Sequence, residues 1–288
     1  MELTRSNLSD IIQERIGNLP TLPDIALKLL ELTGDDDASI KELVQVISHD
    51  PAISSRVLKV ANSAYYGFTW QITALDQAIP LLGLEMVRSL ALSMKVFDYF
   101  RGIKSGGFFT VSDFWLHCVA VSAIARDFVQ LVPLGPRDLL FTAGLLHDIG
   151  KLFLMDVLRV RYLDLIRTVE KEKVQLHEME KQELGMDHAQ TGAILLERWE
   201  FPPEIITIIH DHHLPLSQHS SVSVQAVILA DSLAREAGLG SSGNVLPNGQ
   251  VEEILQHLNL DSAQWDLFCS NYKSQSEKKI TDLMSIFL

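Results

Sequence analysis

Cysteine is scarce in this chain of 288 residues, where Cys118 and Cys269 are the only two. They cannot build a disulfide framework, and because no CxxC spacing occurs, a thiolate zinc site is not supported either. Basic residues are also few: 24 Lys and Arg stand against 37 Asp and Glu, giving a formal net charge of -13. Such an acidic surface repels a phosphate backbone, so we do not expect general nucleic-acid binding.

Long hydrophobic runs are missing as well. The apolar stretches AIPLLGL and VQAVILA fall well short of the roughly 20 residues that a membrane-spanning helix needs. The opening segment MELTRSNLSDIIQERIG lacks the basic start and apolar block of a signal peptide. We therefore expect a cytoplasmic protein that makes no membrane contact.

Helical periodicity runs through most of the chain, whose residues are 47% hydrophobic. The segment LPDIALKLLELTG places Ile25, Leu29 and Leu32 on one helical face. The segment DPAISSRVLKVANS opens with Asp50 as a predicted N-cap and Pro51 at the first helical position. These signals predict an all-α protein with a large core.

Breaks in this periodicity predict the helix boundaries. Pro80 and Gly83 divide the long stretch TALDQAIPLLGLEMVRSLALSMKVFDYF into two helices. The Gly-rich RGIKSGGFFTVSD is predicted to link two lobes, and residues 238–250 are predicted to form a loop. SVSVQAVILA is a candidate strand, but the helical pattern of DSLAREAG continues it, so we favour a helix. Two short helices are expected after Val251.

The stretch AGLLHDIGKLFL, residues 143–154, holds three polar side chains in an apolar run. Burying a polar group costs roughly 2–7 kcal/mol unless it finds a partner. On a continuous helix, His147 and Lys151 share a face, while Asp148 lies about 100° around the helix from His147. If this segment is buried, the three polar side chains therefore need hydrogen-bond, ionic or metal partners.

Other apolar helices carry ligand-type side chains in the same way. His117 follows DFWL, Asp231 follows VQAVILA, and IITIIHDHHLP ends in several histidines. Helical bundles build metal sites from such inward-facing side chains. A divalent cation keeps a buried carboxylate ionised and takes the lone pair of a neutral imidazole. Ligands of His and Asp without Cys suit Mn, Fe, Co, Ni or Zn, and spacing alone does not choose among them.

The order His117, His147-Asp148, Asp231 resembles the H…HD…D signature of the HD superfamily of metal-dependent phosphohydrolases. HDIGK is similar to the HD-GYP form. Upstream, LPTLPDIALKLLEL, SHDPAISSRVLKVANSAYYG and AIPLLGLEMVRSLALS resemble the HDOD family, a bacterial signalling relative. The resemblance covers about 18–236. It implies an N-terminal helical lobe (about 18–104) packed on an HD-like metal lobe (about 110–236), with a C-terminal helical extension at 251–288.

The resemblance also implies a centre of two divalent transition-metal ions. Its ligands would be His117, His147, Asp148, His188, His212, His213 and Asp231. Asp148 would bridge the two ions, which in such centres activate a water and stabilise the leaving oxygen of a phosphoester. Lys151 would hold a phosphate oxygen or orient the nucleophile. The expected ligand is a phosphoester or nucleotide.

Several further residues are less clearly placed. Asp113, four residues before His117, matches the spacing of a third-metal ligand in some HD-GYP proteins, but an N-cap or surface role is favoured. His210 is a candidate for contacting the ligands or for the surface. The remaining histidines are predicted outside the site, at a cap (His49) or on the surface (His177, His219, His257). Trp70 and Trp115 are predicted to be core residues.

The sequence departs from HD-GYP after the paired histidines. It reads HHLPLSQHSS and has no Gly-Tyr-Pro segment, which argues against cyclic di-GMP hydrolysis. Three functions stay open: a metal-dependent phosphohydrolase, a non-catalytic signalling scaffold that binds a partner protein and whose metal is structural or sensory, and a di-iron oxygenase. The first is favoured.

Overall fold

The computed structural model describes residues 5–19, 22–33, 40–103, 109–132, 137–218, 221–244, 246 and 248–286. Within these ranges the chain forms 16 α-helices and no β-strand, which confirms the predicted all-α class. None of the helices in these ranges combines the length and hydropathy needed to cross a bilayer.

In chain order the helices are α1 (Arg5–Gly17), α2 (Asp24–Thr33), α3 (Ile40–Ser48), α4 (Pro51–Ala61), α5 (Leu75–Leu82), α6 (Leu84–Phe100), α7 (Val111–Phe128), α8 (Arg137–Leu146), α9 (Ile149–Leu158), α10 (Val160–Glu172), α11 (Leu176–Leu184), α12 (His188–Arg198), α13 (Pro203–Asp211), α14 (Val222–Glu236), α15 (Val251–His257) and α16 (Ser262–Met284). The chain divides into two compact units, and α16 spans the boundary between them. The first unit is Met1–Pro20 with Gly102–Cys269, and the second is Thr21–Arg101 with Ser270–Leu288.

The second unit contains α2 to α6, whose boundaries follow local signals. The Asp50 carboxylate caps α4 by accepting the N–H groups of Ala52 at 2.9 Å and Ile53 at 3.1 Å, and Pro51 opens the helix. Gly83, at φ 94°, separates α5 from α6. Both the predicted cap and the predicted break are therefore confirmed.

Two predictions on buried residues and the tail need correction. Trp115 is fully buried as predicted, but Trp70 is 58% exposed because it lies in an irregular segment after α4, where it contacts Phe68. The tail after Val251 forms two helices, yet α16 has 23 residues and is not short. Its buried positions recur at helical spacing, among them Trp265, Phe268, Tyr272, Ile280 and Leu283.

The centre of the first unit is formed by α7, α8 and α14. Both α7 and α14 bury side chains on every face, and α8 is buried from Leu140 to Leu146. A helix that is apolar all round belongs in a protein interior. The continuous apolar run of SVSVQAVILA is therefore an interior helix, α14, and the favoured reading of that segment is confirmed. The predicted loop at 238–250 is confirmed in its described residues.

Two glycine contacts bring further elements against this centre. A Cβ at Gly150 on α9 would lie 2.0 Å from the His188 carbonyl oxygen. On the α12 side, a Cβ at Gly192 would lie 3.2 Å from the Gly150 backbone nitrogen. A Cβ at Gly240, which has φ 75°, would lie 2.3 Å from the Asp113 carbonyl oxygen. The missing side chains let α12 touch α9, and let the loop after α14 lie on the start of α7.

Candidate metal centre

His147 and Asp148 lie in a turn between α8 and α9, and not on the continuous helix expected for residues 143–154. His147 Nδ1 donates to the Gly144 carbonyl oxygen at 2.8 Å. Asp148, at φ -100° and ψ 9°, precedes α9 and accepts the Lys151 N–H on its carbonyl oxygen at 2.9 Å. The turn brings the side chains of His147 and Asp148 together, which neighbouring positions of a helix would hold about 100° apart.

All seven predicted metal ligands come together in the first unit. Besides the turn between α8 and α9, they come from α7, α14, the first residue of α12 and the turn that follows α13. We call this set the His/Asp cluster: His117, His147, Asp148, His188, His212, His213 and Asp231. Six of the seven side chains are at most 3% exposed, and His213 is half-buried.

One side of the cluster joins α7, the turn after α8, and α14. His117 Nε2 lies 3.0 Å from Asp231 Oδ1, and His147 Nε2 lies 4.0 Å from the same oxygen. His147 Nε2 is also 3.3 Å from Asp148 Oδ2. Ligand atoms of His117, His147 and Asp148 all lie within 4.8 Å of one another, a separation that one cation can span.

The other side of the cluster shares Asp148. Its Oδ1 lies 3.2 Å from His188 Nε2 and 3.7 Å from His212 Nε2. His188 Nε2 and His213 Nε2 are 2.8 Å apart, so one of these nitrogens donates to the other. Asp148 therefore stands between two groups of ligands, each compact enough for a metal ion.

The donor atoms of the cluster fit a bound cation. Within the described chain, one buried ligand atom from each of five residues has no hydrogen-bond partner of good geometry, although His117 Nε2 and Asp231 Oδ1 are only 3.0 Å apart. These atoms are His117 Nε2, His147 Nε2, Asp148 Oδ1, His212 Nε2 and Asp231 Oδ1. Orphaned buried polar atoms are costly and rare in native structures. Five of them converging on one centre fit a bound cation, with His and Asp as donors suited to a transition metal.

The two carboxylates are held in their ionised form. Burial raises the pKa of Asp148, but the charges of His147 and Lys151 outweigh burial and hold that pKa well below its usual range. Burial likewise raises the pKa of Asp231, but the Arg235 guanidinium 2.8 Å away, together with His117 and His147, outweighs burial and holds the pKa far below the ordinary value. Both residues are thus charged acceptors at neutral pH, as cation ligands must be.

The histidines divide into two electrostatic classes. Burial lowers the pKa values of His117, His212 and His213, which leaves these imidazoles neutral and able to donate a lone pair. Burial also lowers the pKa of His188, but the Glu180 carboxylate, together with the hydrogen bond to Asp148, outweighs burial and raises that pKa to about 9. Cation binding at His188 would therefore release a proton.

The secondary candidates lie outside this cluster. Asp113 is exposed, as the favoured surface role predicts, but the N-cap of α7 is Thr110, whose hydroxyl accepts the Asp113 N–H at 3.0 Å and donates to the Asp113 carboxylate at 2.7 Å. His210 is exposed and contacts Asp211. Both His49 and His257 are exposed, whereas His219 is outside the described residues. The surface prediction for His177 is wrong, because its half-buried ring stacks on His213 at 4.3 Å.

Three supporting residues were not predicted from the sequence. The buried Glu180 accepts His188 Nδ1 at 2.5 Å, the His188 backbone N–H at 2.8 Å, and the hydroxyl of Tyr162. Arg235 holds Asp231, and Ser242 accepts Lys151 Nζ at 3.2 Å. The spacing of Asp231 and Arg235, i and i+4 on a helix, was a readable signal. No sequence signal distinguishes Glu180 from the other acidic residues of α11.

The fold and the cluster define an all-helical protein with a buried centre of histidines and aspartates. A model of the HDOD domain family matches residues 19–215, well over half of the chain. The chain belongs to the HDOD family.

Three bacterial proteins are similar to this chain in sequence or in structure. An uncharacterised protein of Treponema pallidum (strain Nichols) is 23% identical over 211 residues, or 72% of this chain, and the chain spans 40% of that protein's length. An HDOD domain protein of unknown function from Geobacter sulfurreducens has a crystal structure with a TM-score of 0.80, 23% identity, and coverage of 98% of this chain and 99% of its own. A candidate phosphohydrolase of Shewanella amazonensis SB2B has a crystal structure with a TM-score of 0.76 and 23% identity. The match covers 96% of this chain and 98% of that protein's chain. At these identities the structural likeness shows the fold alone.

Proposed function

We propose that this chain is a metal-dependent phosphohydrolase whose His/Asp cluster holds two divalent transition-metal ions. One ion would take His117, His147 and Asp231, the other would take His188, His212 and His213, and Asp148 would serve both. The substrate is a phosphoester or nucleotide, and the metal is one of Fe, Mn, Ni, Co or Zn.

The observation that carries this proposal is the convergence of orphaned, buried ligand atoms around Asp148. Its two oxygens face different sets of nitrogens: Oδ2 faces His147 at 3.3 Å, and Oδ1 faces His188 at 3.2 Å. A single carboxylate between two groups of ligands could serve two cations at once, which suits a two-metal centre. The name of the Shewanella amazonensis relative, a candidate phosphohydrolase, agrees with this chemistry.

When bound, a pair of cations supplies the Lewis acidity that activates water for attack on phosphorus and stabilises the leaving oxygen. The protein's own residues orient the ligands. Lys151 donates to Asp148 Oδ2 at 2.6 Å and to Ser242 at 3.2 Å, which leaves one of its three N–H groups for a phosphate oxygen. Glu180 fixes His188, and Arg235 fixes Asp231. Such supporting contacts set ligand direction and basicity.

The test begins with elemental analysis of the purified protein. We expect about two metal ions per chain, and a loss of metal in His117→Ala and Asp148→Asn. Asp113→Asn, which changes an exposed carboxylate on the same helix as His117, is the matched control and should keep its metal. The metal-loaded protein is then assayed on a panel of phosphodiesters and nucleotides. No turnover with both sites loaded would refute the phosphohydrolase and leave metal binding intact.

Burial of the cluster favours a second candidate, a signalling scaffold in which the metal is structural or sensory and the protein binds a partner. Six of the seven ligand side chains are at most 3% exposed, which limits access by a substrate. A relative from Marinobacter aquaeolei VT8 is named as a candidate signal transduction protein. If His117→Ala and Asp148→Asn strip the metal but leave the cellular phenotype intact, catalysis is not the role of the centre.

A further inference from the structure

A cavity of about 520 Å³ adjoins the His/Asp cluster within the first unit. His213 belongs to both the cluster and the cavity wall. Arg235, which also lines the cavity, holds the cluster carboxylate of Asp231 at 2.8 Å. The volume falls in the range of about 300–1,000 Å³ that is typical of small-molecule sites. A molecule in this cavity would lie next to the centre proposed to hydrolyse phosphoesters.

The cavity wall is polar. Its apolar side chains are those of Leu214 and Pro215, and its charged ones are Lys181, Arg235 and Glu178. Both cations already have carboxylate partners: Lys181 Nζ lies 2.8 Å from Asp187 Oδ2, and the Arg235 guanidinium lies 2.8 Å from Asp231 Oδ2. The wall is therefore rich in hydrogen-bonding groups, which suits a polar ligand and opposes a lipid or other wholly apolar one.

Carboxamides supply most of the remaining wall. Gln218, Asn248 and Gln250 line the cavity. Gln250 Oε1 is buried and has no hydrogen-bond partner among the described residues, while the Gln250 backbone N–H donates to Asn248 Oδ1 at 3.0 Å. A carboxamide offers a donor and an acceptor side by side. That pair matches the edge of a nucleobase, as in the pairing of Asn or Gln with adenine.

A flat ring completes the wall. His177 lines the cavity and stacks on His213 with an interplanar angle of 11°. Histidine rings are among the side chains on which nucleobases stack.

We propose that this cavity is the recognition pocket of the centre and that it takes a nucleotide. The base would lie against His177 and the carboxamides of Gln218, Asn248 and Gln250, with the phosphate directed to His213. The proposal rests on the proposed phosphohydrolase function and names its substrate class. Four of the residues that line the cavity lie beyond residue 215, where the family match ends: Gln218, Arg235, Asn248 and Gln250.

The experiment measures equilibrium binding to the full, metal-loaded protein by calorimetry. The probes are AMP, GMP, CMP and UMP, with ribose 5-phosphate as the matched compound that has a phosphate but no base. At least one nucleotide should bind about tenfold or more tightly than ribose 5-phosphate, since two base hydrogen bonds are worth about that much. Asn248→Ala and Gln250→Ala should each weaken nucleotide binding by about 3- to 10-fold and leave ribose 5-phosphate unchanged.

Control variants distinguish a loss of nucleotide binding at the cavity from misfolding and from a loss of catalysis. Gln256→Ala removes an exposed carboxamide outside the cavity and should bind as the wild type does. Gln218→Ala is a third pocket variant, in case either of the others fails to fold, and metal content and thermal unfolding verify each protein. Equal binding of ribose 5-phosphate and every nucleotide, no nucleotide binding, or unaffected pocket variants would overturn the pocket. Selective nucleotide binding without turnover would refute the hydrolase and retain the pocket.

Discussion

Lys151 Nζ lies 2.6 Å from Asp148 Oδ2, and neither side chain is exposed to solvent. The spacing in the sequence predicted that Lys151 shares a helical face with His147. Because a turn precedes α9, Lys151 contacts Asp148 instead. A buried ion pair is costly to assemble, and breaking it is costlier because the remaining charge has no counterpart. Lys151 is thus the positive charge that the metal-free cluster depends on.

Replacing Lys151 by Met should destabilise the metal-free protein by about 3–5 kcal/mol, because Asp148 is left buried without its counter-charge. The loss should shrink when a divalent cation is added, since the cation replaces the missing positive charge. Urea unfolding of chelator-treated and metal-loaded protein measures both values. Lys171→Met, at an exposed position on α10, should change little. Unchanged stability of the metal-free Lys151→Met protein would contradict this role.

Glu180→Gln should weaken metal binding by about 10- to 100-fold, because it removes the charge that orients His188. Competition against a fluorescent chelator gives the affinity. Glu183→Gln, on the same helix but exposed, is the matched control and should bind metal normally. Wild-type affinity in Glu180→Gln would show that the contact from Glu180 to His188 is structural only.

Gly150→Ala should destabilise the fold by at least about 1–3 kcal/mol, as overpacked sites do. The added Cβ would lie 2.0 Å from the His188 carbonyl oxygen, so α9 and α12 must separate. Separation moves His188 away from Asp148, and metal affinity should fall together with stability. Gly17→Ala meets no atom within 4 Å and should be nearly neutral. Equal unfolding midpoints for the two variants would exclude the close contact.

Asp50 couples the stability of the second unit to pH. Burial raises its pKa, but the hydrogen bond from Lys95 at 2.6 Å and the backbone N–H groups of Ile53 and Ala52 outweigh burial, so the pKa lies below its ordinary value of 3.8. A lowered folded-state pKa adds stability that is present above pH 3.8 and is lost as the pH falls through the folded-state pKa.

Asp50→Ala should therefore cost about 0.5–2 kcal/mol at pH 7, the range for losing an N-cap. Asp50→Asn should cost less, since the amide keeps a capping oxygen and only the ionic attraction to Lys95 is lost. Unfolding in urea at several pH values measures the difference from wild type, which should narrow on acidification below pH 3.8. A difference that widens on acidification would reverse the assigned sign.

Local signals were sufficient where the cause of a structure is local. The cap at Asp50, the break at Gly83 and the helical state of α14 depend on neighbouring residues and on periodicity, and all three were predicted. Where the cause is distant, prediction failed. Trp70 is exposed because it lies in an irregular segment, and His177 is half-buried because it stacks on His213, which is distant in the sequence. Helical periodicity reports neither cause.

The amino-acid sequence by itself determined the helical class, the family, and the supply of His and Asp side chains in apolar surroundings. Only the tertiary structure decided how those side chains meet. It interrupts the helix at His147, gives Asp148 to two groups of nitrogens, and brings in Glu180 from a separate helix. The physical reason is that ligand type is a property of one residue, whereas a shared carboxylate and a buried counter-charge require segments brought together by packing.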